Sequence, residues 1–389
     1  MRYHAGMKLR SVRDIPKLEN IPVLVRAALN VPVEGGKVVN SFRLRKALPT
    51  IEYLRSKHAR VVLIGHIGEK GTETLHPVYE AMKALVPGIE FCPVTTGPQA
   101  RQAVRDLVPG GVLMLENLRR DPGETKNSAE FAAKLAELAD VFVEDSFDVC
   151  HRSHASVVGV PKLLAPYAGL QLLQEVDELT KALTPKSPSI AIIGGAKFAT
   201  KEPVLTTLLK SYDRVFVGGA LANDFMAAAG YGVGKSLVSA DADELAIRTL
   251  MKNPKLMLPL DEVVAEPGQN ANAGSSVAVN AVPASKGIYD DGPKTVEALA
   301  SLISKAKTVL WNGPLGLYEN GFTQSTEGVA RAVAASGAYS ILGGGDTVAA
   351  IEELNLSRGF SFISTGGGAM LDFLANGTLP GLKALERLN

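Results

Sequence analysis

Gly343-Gly344-Gly345-Asp346-Thr347 follows the apolar run from Ala338 to Leu342, and Trp311-Asn312-Gly313-Pro314 lies shortly before both. An apolar strand that ends in glycines presents bare backbone N–H groups. Where such a loop opens a helix, those amides and the helix dipole together favour an anion. Asp346 is then placed to hold the cation that accompanies a polyphosphate, a role compatible with capping the helix. The chemistry indicated is nucleotide-phosphate binding. The device recurs: Ser189 to Ile193 leads into Gly194-Gly195-Ala196-Lys197, Arg214 to Val217 into Gly218-Gly219, and Phe360 to Ser364 into Thr365-Gly366-Gly367-Gly368.

Short apolar runs that end in glycines and give way to helical patterns are how a parallel sheet reads when its ligand sits at the carboxyl ends of the strands. The first half of the chain alternates in the same way, but its strands end in polar and charged groups. Pro22 to Ala27 runs to Asn30, Arg60 to Ile64 to His66, Val112 to Leu115 to Arg119, and Val141 to Val143 through Asp145 to His151-Arg152. Between them lie helical patterns such as Ala129 to Leu138, entered through Asn127-Ser128-Ala129-Glu130. A helix after every strand forces parallel pairing with right-handed crossovers. The expected fold is therefore α/β with two similar-sized domains, each a parallel sheet flanked by helices, joined by a helical hinge. The expected bounds are 1–170 for an acceptor domain, 171–188 for the hinge helix and its Pro-rich linker, and 189–376 for a nucleotide domain. Residues 377–389 form a tail returning to the first domain.

A chain of 389 residues exceeds one ordinary core. The net charge of +1, with basic residues not gathered in runs, argues against a nucleic-acid partner. Cys92 and Cys150 are the only cysteines and lack a metal or redox spacing. His151 and His154 beside Cys150 lack the second ligand pair a zinc site needs, and are expected to position Arg152 by local hydrogen bonds. No segment reads as a signal peptide or a membrane span, so a cytoplasmic protein without a membrane partner is expected, with Met7 an alternative start to Met1.

Several strings, in order along nearly the whole chain, resemble those of the phosphoglycerate kinase family. They are Val23-Leu24-Val25-Arg26 with Asn30-Val31-Pro32, Leu115-Glu116-Asn117-Leu118-Arg119, His151-Arg152 with His154-Ala155-Ser156-Val157-Val158-Gly159, Gly194-Gly195-Ala196-Lys197, Trp311-Asn312-Gly313-Pro314 and Gly344-Gly345-Asp346-Thr347. The resemblance implies reversible phosphoryl transfer between 1,3-bisphosphoglycerate and ADP, a glycolytic step, by a monomer whose hinge closes a cleft. It implies that Arg43, Lys197 and Lys201 stabilise the transferring charge, and that Asn30, Arg43, His66, Arg119 and Arg152 hold the phosphorylated carboxylate. Lys197, Lys201, Asn312, Glu319, Gly344, Gly345, Asp346 and Thr347 would hold ATP or ADP, with Glu319 at the ribose and Asp346 as the ligand of Mg2+.

The chain departs from the family's pattern mainly on the acceptor side. Ala28 stands where a carboxylate for the glycerate hydroxyl is expected, Glu69 where a phosphate-binding arginine is expected, and the stretch Ser146 to Arg152 carries Asp148 in place of glycine. Thr200 replaces an aspartate after Lys197, while Lys201 is kept. Losing a hydrogen bond to a charged group weakens binding by about tenfold to a hundredfold. Two further readings therefore stand beside the first: a kinase of the same fold acting on another small carboxylate, and a nucleotide-binding homologue without catalysis.

Overall fold

The computed structural model describes residues 2–4 and 7–386, so that Met1 and residues 387–389 of the tail lie outside the described residues. The chain divides into two compact units, Met1–Asp177 with Gly377–Asn389, and Glu178–Asn376. The division falls within the helix Leu170–Leu183, before the segment from Thr184 to Pro188. The helix runs through because its apolar stripe is unbroken: Leu172, Val176, Leu179 and Ala182 recur at three and four residues and are all fully buried.

The first unit is built on a six-stranded sheet. Its strands lie in the order Ala165–Ala168, Val141–Glu144, Pro22–Arg26, Arg60–Ile64, Val112–Leu115 and Glu90–Cys92, every pairing parallel. Strands Arg60–Ile64 and Val112–Leu115 are apolar after Arg60, with successive residues buried and so both faces covered, which leaves no face for polar residues. Helix Phe42–Ser56 shows how a flanking helix is fixed. Leu44, Ala47, Ile51 and Leu54 are buried at spacings of three and four, which sets Arg43 at its first turn next to the anchoring Leu44. Truncating a buried residue such as Ile51 to alanine would cost about 2–5 kcal/mol. Helix Ala129–Ala136 starts where its sequence indicated, with Ser128 Oγ accepting from the amide of Phe131. The short helix Pro380–Leu385 belongs to this unit, and the amide of Gly381 donates to the carbonyl of Cys150 at 2.8 Å.

The second unit repeats the scheme with strands in the order Leu256–Met257, Arg214–Val217, Ser189–Ile193, Thr308–Asn312, Tyr339–Gly343 and Phe362–Ile363, again all parallel. It also carries a three-stranded antiparallel sheet, Ser275–Ala278, Asp261–Ala265 and Gly287–Asp291, which the parallel scheme did not anticipate. Acidic residues interrupt the apolar pattern of two of these strands, so they do not read as strands on periodicity alone.

Candidate active site

In the first unit, the polar residues that end the strands converge at the carboxyl edge of the sheet. Arg26, the last residue of its strand, is buried. Its Nε donates to Ser156 Oγ at 3.0 Å, Nη1 donates to Ser146 Oγ at 3.0 Å, and Nη2 lies 3.3 Å from His66 Nδ1. A guanidinium can only donate, so Nδ1 of His66 accepts and its ring proton sits on Nε2. Burial holds the His66 pKa well below the ordinary value, and the charges of Arg26, Arg119, His154 and Arg43 lower it further. Burial and then Arg26, Arg119 and Arg152 pull His154 down to about 4. The pKa of Arg119 is lowered by burial and by Arg26 and Arg152. These groups are thus gathered in one positive field, and His66 presents a neutral N–H donor within it.

Asn117 sets the position of His66 and Arg119 together. Its Nδ2 donates to the carbonyls of Ile67 and Glu73 at 2.9 Å, and its Oδ1 accepts from the amides of Ile67 at 3.3 Å and Arg119 at 3.1 Å. Arg119 Nη1 reaches the carbonyl of Gly68 at 2.5 Å, and the amide of Gly68 donates to Asn30 Oδ1 at 3.1 Å. Arg43 Nη1 donates to the carbonyl of Asn30 at 2.7 Å. Asn30, Arg43, His66 and Arg119 are therefore one connected constellation. Arg152 is exposed, close enough to lower the pKa values of Arg119 and His154. His154 Nδ1 stands 3.8 Å from Glu124 Oε1.

The departing residues sit in the same edge. Glu69 is exposed, and its charge supports that of Arg119, so it opposes the positive field where an arginine would add to it. Asp148 is 8% exposed; Ser146 Oγ donates to its Oδ1 at 2.5 Å, and its Oδ2 lies 3.9 Å from Arg43 Nη1. Sequence reading missed Arg26, Ser146, Ser156 and Glu124 as parts of this site. The available signal was an arginine closing an apolar strand, since a buried guanidinium must be met by several acceptors.

The second unit gathers the glycine loops at the corresponding edge of its own sheet. The loops after Ser189–Ile193 and Thr308–Asn312 touch directly: Gly194 N donates to Asn312 O at 2.9 Å and Gly195 N to Pro314 O at 2.8 Å. A Cβ on Gly194 would stand 2.3 Å from Pro314 O, and Gly313 combines a φ of +96° with a Cβ position 2.5 Å from Gly194 O. Only glycine fits either place.

Helix Phe198–Ser211 separates the two lysines. Its buried residues Phe198, Lys201, Val204, Leu205 and Leu208 recur at helical spacing, so Lys201 falls on the core face. Its Nζ donates to Asn312 Oδ1 at 3.1 Å, and burial lowers its pKa to about 8. Lys197 precedes the helix, exposed and left-handed at φ +59°. Helix Gly345–Glu353 begins at the N-cap Gly344, with Asp346 exposed in its first turn. The hydroxyl of Thr347 is buried without a hydrogen-bond partner among the described residues. Glu319 is exposed on the turn Tyr318–Asn320, which Tyr318 fastens to this helix by donating to Glu353 Oε2 at 2.8 Å.

A family model described as "Phosphoglycerate kinase" matches residues 12–377. The phosphoglycerate kinase of Moorella thermoacetica is 45% identical over 390 aligned residues, which cover 96% of this chain and 98% of that protein. That of Thermus thermophilus is 44% identical, covering 94% of this chain and 96% of its own length. Among solved structures, the phosphoglycerate kinase of Pyrococcus horikoshii superposes with a TM-score of 0.87 at 30% identity, covering 97% of this chain and 98% of that one. The Coxiella burnetii enzyme gives 0.81 at 37% identity over 97% and 99%.

Proposed function

The chain belongs to the phosphoglycerate kinase family, a phosphotransferase family that uses a carboxyl group as acceptor, and from that premise we propose which of its residues carry the reaction. A carboxylate oxygen of 3-phosphoglycerate attacks the γ-phosphorus of ATP, and the bond to the bridging β–γ oxygen breaks. The products are the acyl phosphate and ADP. No proton changes hands, so the chain has to supply positive charge and hydrogen-bond donors and to exclude water.

The positive field around His66 is the observation that carries this assignment. His66 offers Nε2–H, with Arg119 and Arg152, to the phosphate or carboxylate of the acid. Because its pKa is depressed, it donates without exchanging protons at neutral pH. Asn30 orients the chain at Gly68, and Arg43 neutralises the charge that spreads over the transferring group. On the second unit, Lys201 is held by Asn312 and Lys197 stands at the mouth of the glycine loops, both serving the nucleotide phosphates. Glu319 serves the ribose.

Asp346 and Thr347 fit the phosphates of a nucleotide carried with magnesium. One is an exposed carboxylate in the first helical turn, and the other brings a buried hydroxyl that lacks a partner among the described residues. The amides of Gly344 and Gly345 belong to the same turn. Bound magnesium would add charge neutralisation at the phosphates. No helix among the described residues is long and apolar enough to cross a membrane. We infer a cytoplasmic monomer that acts on small molecules, without nucleic-acid or membrane partners; the net charge of +1 supports the part of this reading that leaves out nucleic acid.

The test is an assay of ADP formation from ATP and 3-phosphoglycerate. The expected result is turnover that requires the acid and falls about a hundredfold to a thousandfold in Arg43→Ala, with ATP binding unchanged. Absence of acid-dependent turnover at millimolar substrate would defeat the assignment.

A further inference from the structure

We propose that Asp148 is the group that recognises the C2 hydroxyl of the phosphoglycerate, taking over from the carboxylate that position 28 lacks; the inference rests on the kinase reading above. Strands Pro22–Arg26 and Val141–Glu144 pair in parallel with Arg26 opposite Glu144, and Asp145 N donates to Arg26 O at 2.9 Å. Residues 27–30 and 145–149 thus leave neighbouring strands in step, at the edge where Arg26, His66 and Arg43 gather. Ala28 carries no acceptor. Asp148 supplies one from the adjacent segment.

The other acids of this edge are buried more deeply than Asp148, at 0% exposure for Glu124 and Glu144, 1% for Asp145 and 4% for Glu116 against its 8%, even though Oε2 of Glu144 and Oδ2 of Asp145 have no hydrogen-bond partner among the described residues. Both oxygens of Glu124 accept from Ser156, Oε2 from the amide at 2.9 Å and Oε1 from the hydroxyl at 2.5 Å. Oε1 of Glu144 accepts from Ser146 N at 2.9 Å, and burial pushes its pKa up to about 8, so it is chiefly the neutral acid at pH 7. Oδ1 of Asp145 is bound by the amides of Gln171 and Leu172, and burial raises its pKa to about 7. Glu116 holds Thr74, Leu75, Asn117 and Arg120. Asp148 differs. Its Oδ1 is fixed by Ser146, which Arg26 holds in turn, while Oδ2 faces Arg43 at 3.9 Å, beyond hydrogen-bond length.

A carboxylate beside an anionic substrate is unfavourable unless it receives a hydrogen bond. That makes it a selector: an acid with a hydroxyl gives Oδ2 a hydrogen bond, and one without it leaves Oδ2 desolvated with only the 3.9 Å ion pair to Arg43. Asp148 is thereby a specificity-determining residue, and the Arg26–Ser146–Asp148 chain is what positions it.

The experiment measures calorimetric affinity for 3-phosphoglycerate and for the same phosphorylated acid lacking the C2 hydroxyl, using the full chain. The parent is compared with Asp148→Ala, Asp148→Asn and Asp148→Ala combined with Ala28→Asp. The expected parent prefers the hydroxylated acid by at least about tenfold. Asp148→Ala removes most of that preference, Asp148→Asn reduces it while keeping the volume and the Ser146 contact, and the double variant restores it. Equal weakening of both acids, with the preference intact, would overturn the inference, because a residue that only positions Arg43 affects both alike. A parent that binds the hydroxylated acid and turns it over without preferring it would also overturn it. A parent that binds neither acid would overturn the kinase assignment as well, which separates the two failures.

Discussion

Lys201 Nζ donates to Asn312 Oδ1 at 3.1 Å, joining the core face of helix Phe198–Ser211 to the end of strand Thr308–Asn312. Burial lowers the lysine pKa to about 8 from the ordinary 10.5. Free protein therefore loses this positive charge as pH rises through about 8. ADP affinity is expected to fall above that pH, with a limiting slope of about tenfold per pH unit. In Lys201→Gln the same curve should flatten. Stability moves the other way: between pH 8 and 10.5 the unfolded chain binds the proton that the folded chain has released, so folding gains as pH rises across that window. Titrating ADP binding from pH 7 to 9.5 in both proteins decides it; an unchanged slope in Lys201→Gln would assign the effect to another group.

Lys197 gives a prediction of opposite character. Its φ of +59° is a conformation that side chains bearing a Cβ adopt at a cost of about 1–3 kcal/mol. Lys197→Gly removes that strain and the charge together, although glycine returns part of the gain through its greater freedom when unfolded. The expected variant is as stable as the parent or up to about 1 kcal/mol more stable, yet its kcat is reduced by at least tenfold, about 1.4 kcal/mol of transition-state stabilisation. Urea unfolding and steady-state kinetics on one preparation check both halves. A variant that keeps its kcat would remove Lys197 from the transfer step.

Legibility followed how far a residue's environment is encoded nearby. Lys201 was recognisable because it belongs to a local string, Gly194 to Lys197 and its following helix, and its burial follows from helical spacing. The place of Asp346 in the first turn of a helix was legible for the same reason. The doubly layered fold was legible because buried parallel strands announce themselves as uninterrupted apolar runs. Arg26 was not, since it looks like the polar end of such a run, and its acceptors Ser146 and Ser156 come from distant chain segments. The antiparallel sheet was hidden for a related reason. Asp261 and Glu262 on one strand and Asp290 and Asp291 on another look like solvent-facing groups, whereas all four are buried.

That buried acidic group yields the last prediction. Glu262 stands opposite Asp291 in the antiparallel register, and neither oxygen of Glu262 nor Oδ2 of Asp291 has a hydrogen-bond partner among the described residues. Burial and the neighbouring carboxylates, Asp291 first among them, raise the Glu262 pKa far above the ordinary 4.5. Asp261 and Asp290 are provided for differently. Asp261 accepts from Thr295, Lys294 and Ser276, and Asp290 from Ser325 and from the amide of Asp291. A carboxyl whose pKa is raised on folding stabilises the folded form fully below the unfolded pKa, and this stabilisation is lost as pH rises towards the folded value. The contribution of Glu262 to the parent's stability should fall from about pH 4.5 upward. Glu262→Gln keeps the shape but has no proton to lose. Its melting temperature relative to the parent is expected to rise by several degrees between pH 5 and pH 8, at about 2–4 °C per kcal/mol for a unit of this size. The comparison across pH cancels whatever fixed cost the unpartnered amide brings. A constant difference between the two proteins over that range would show that Glu262 does not take up its proton on folding.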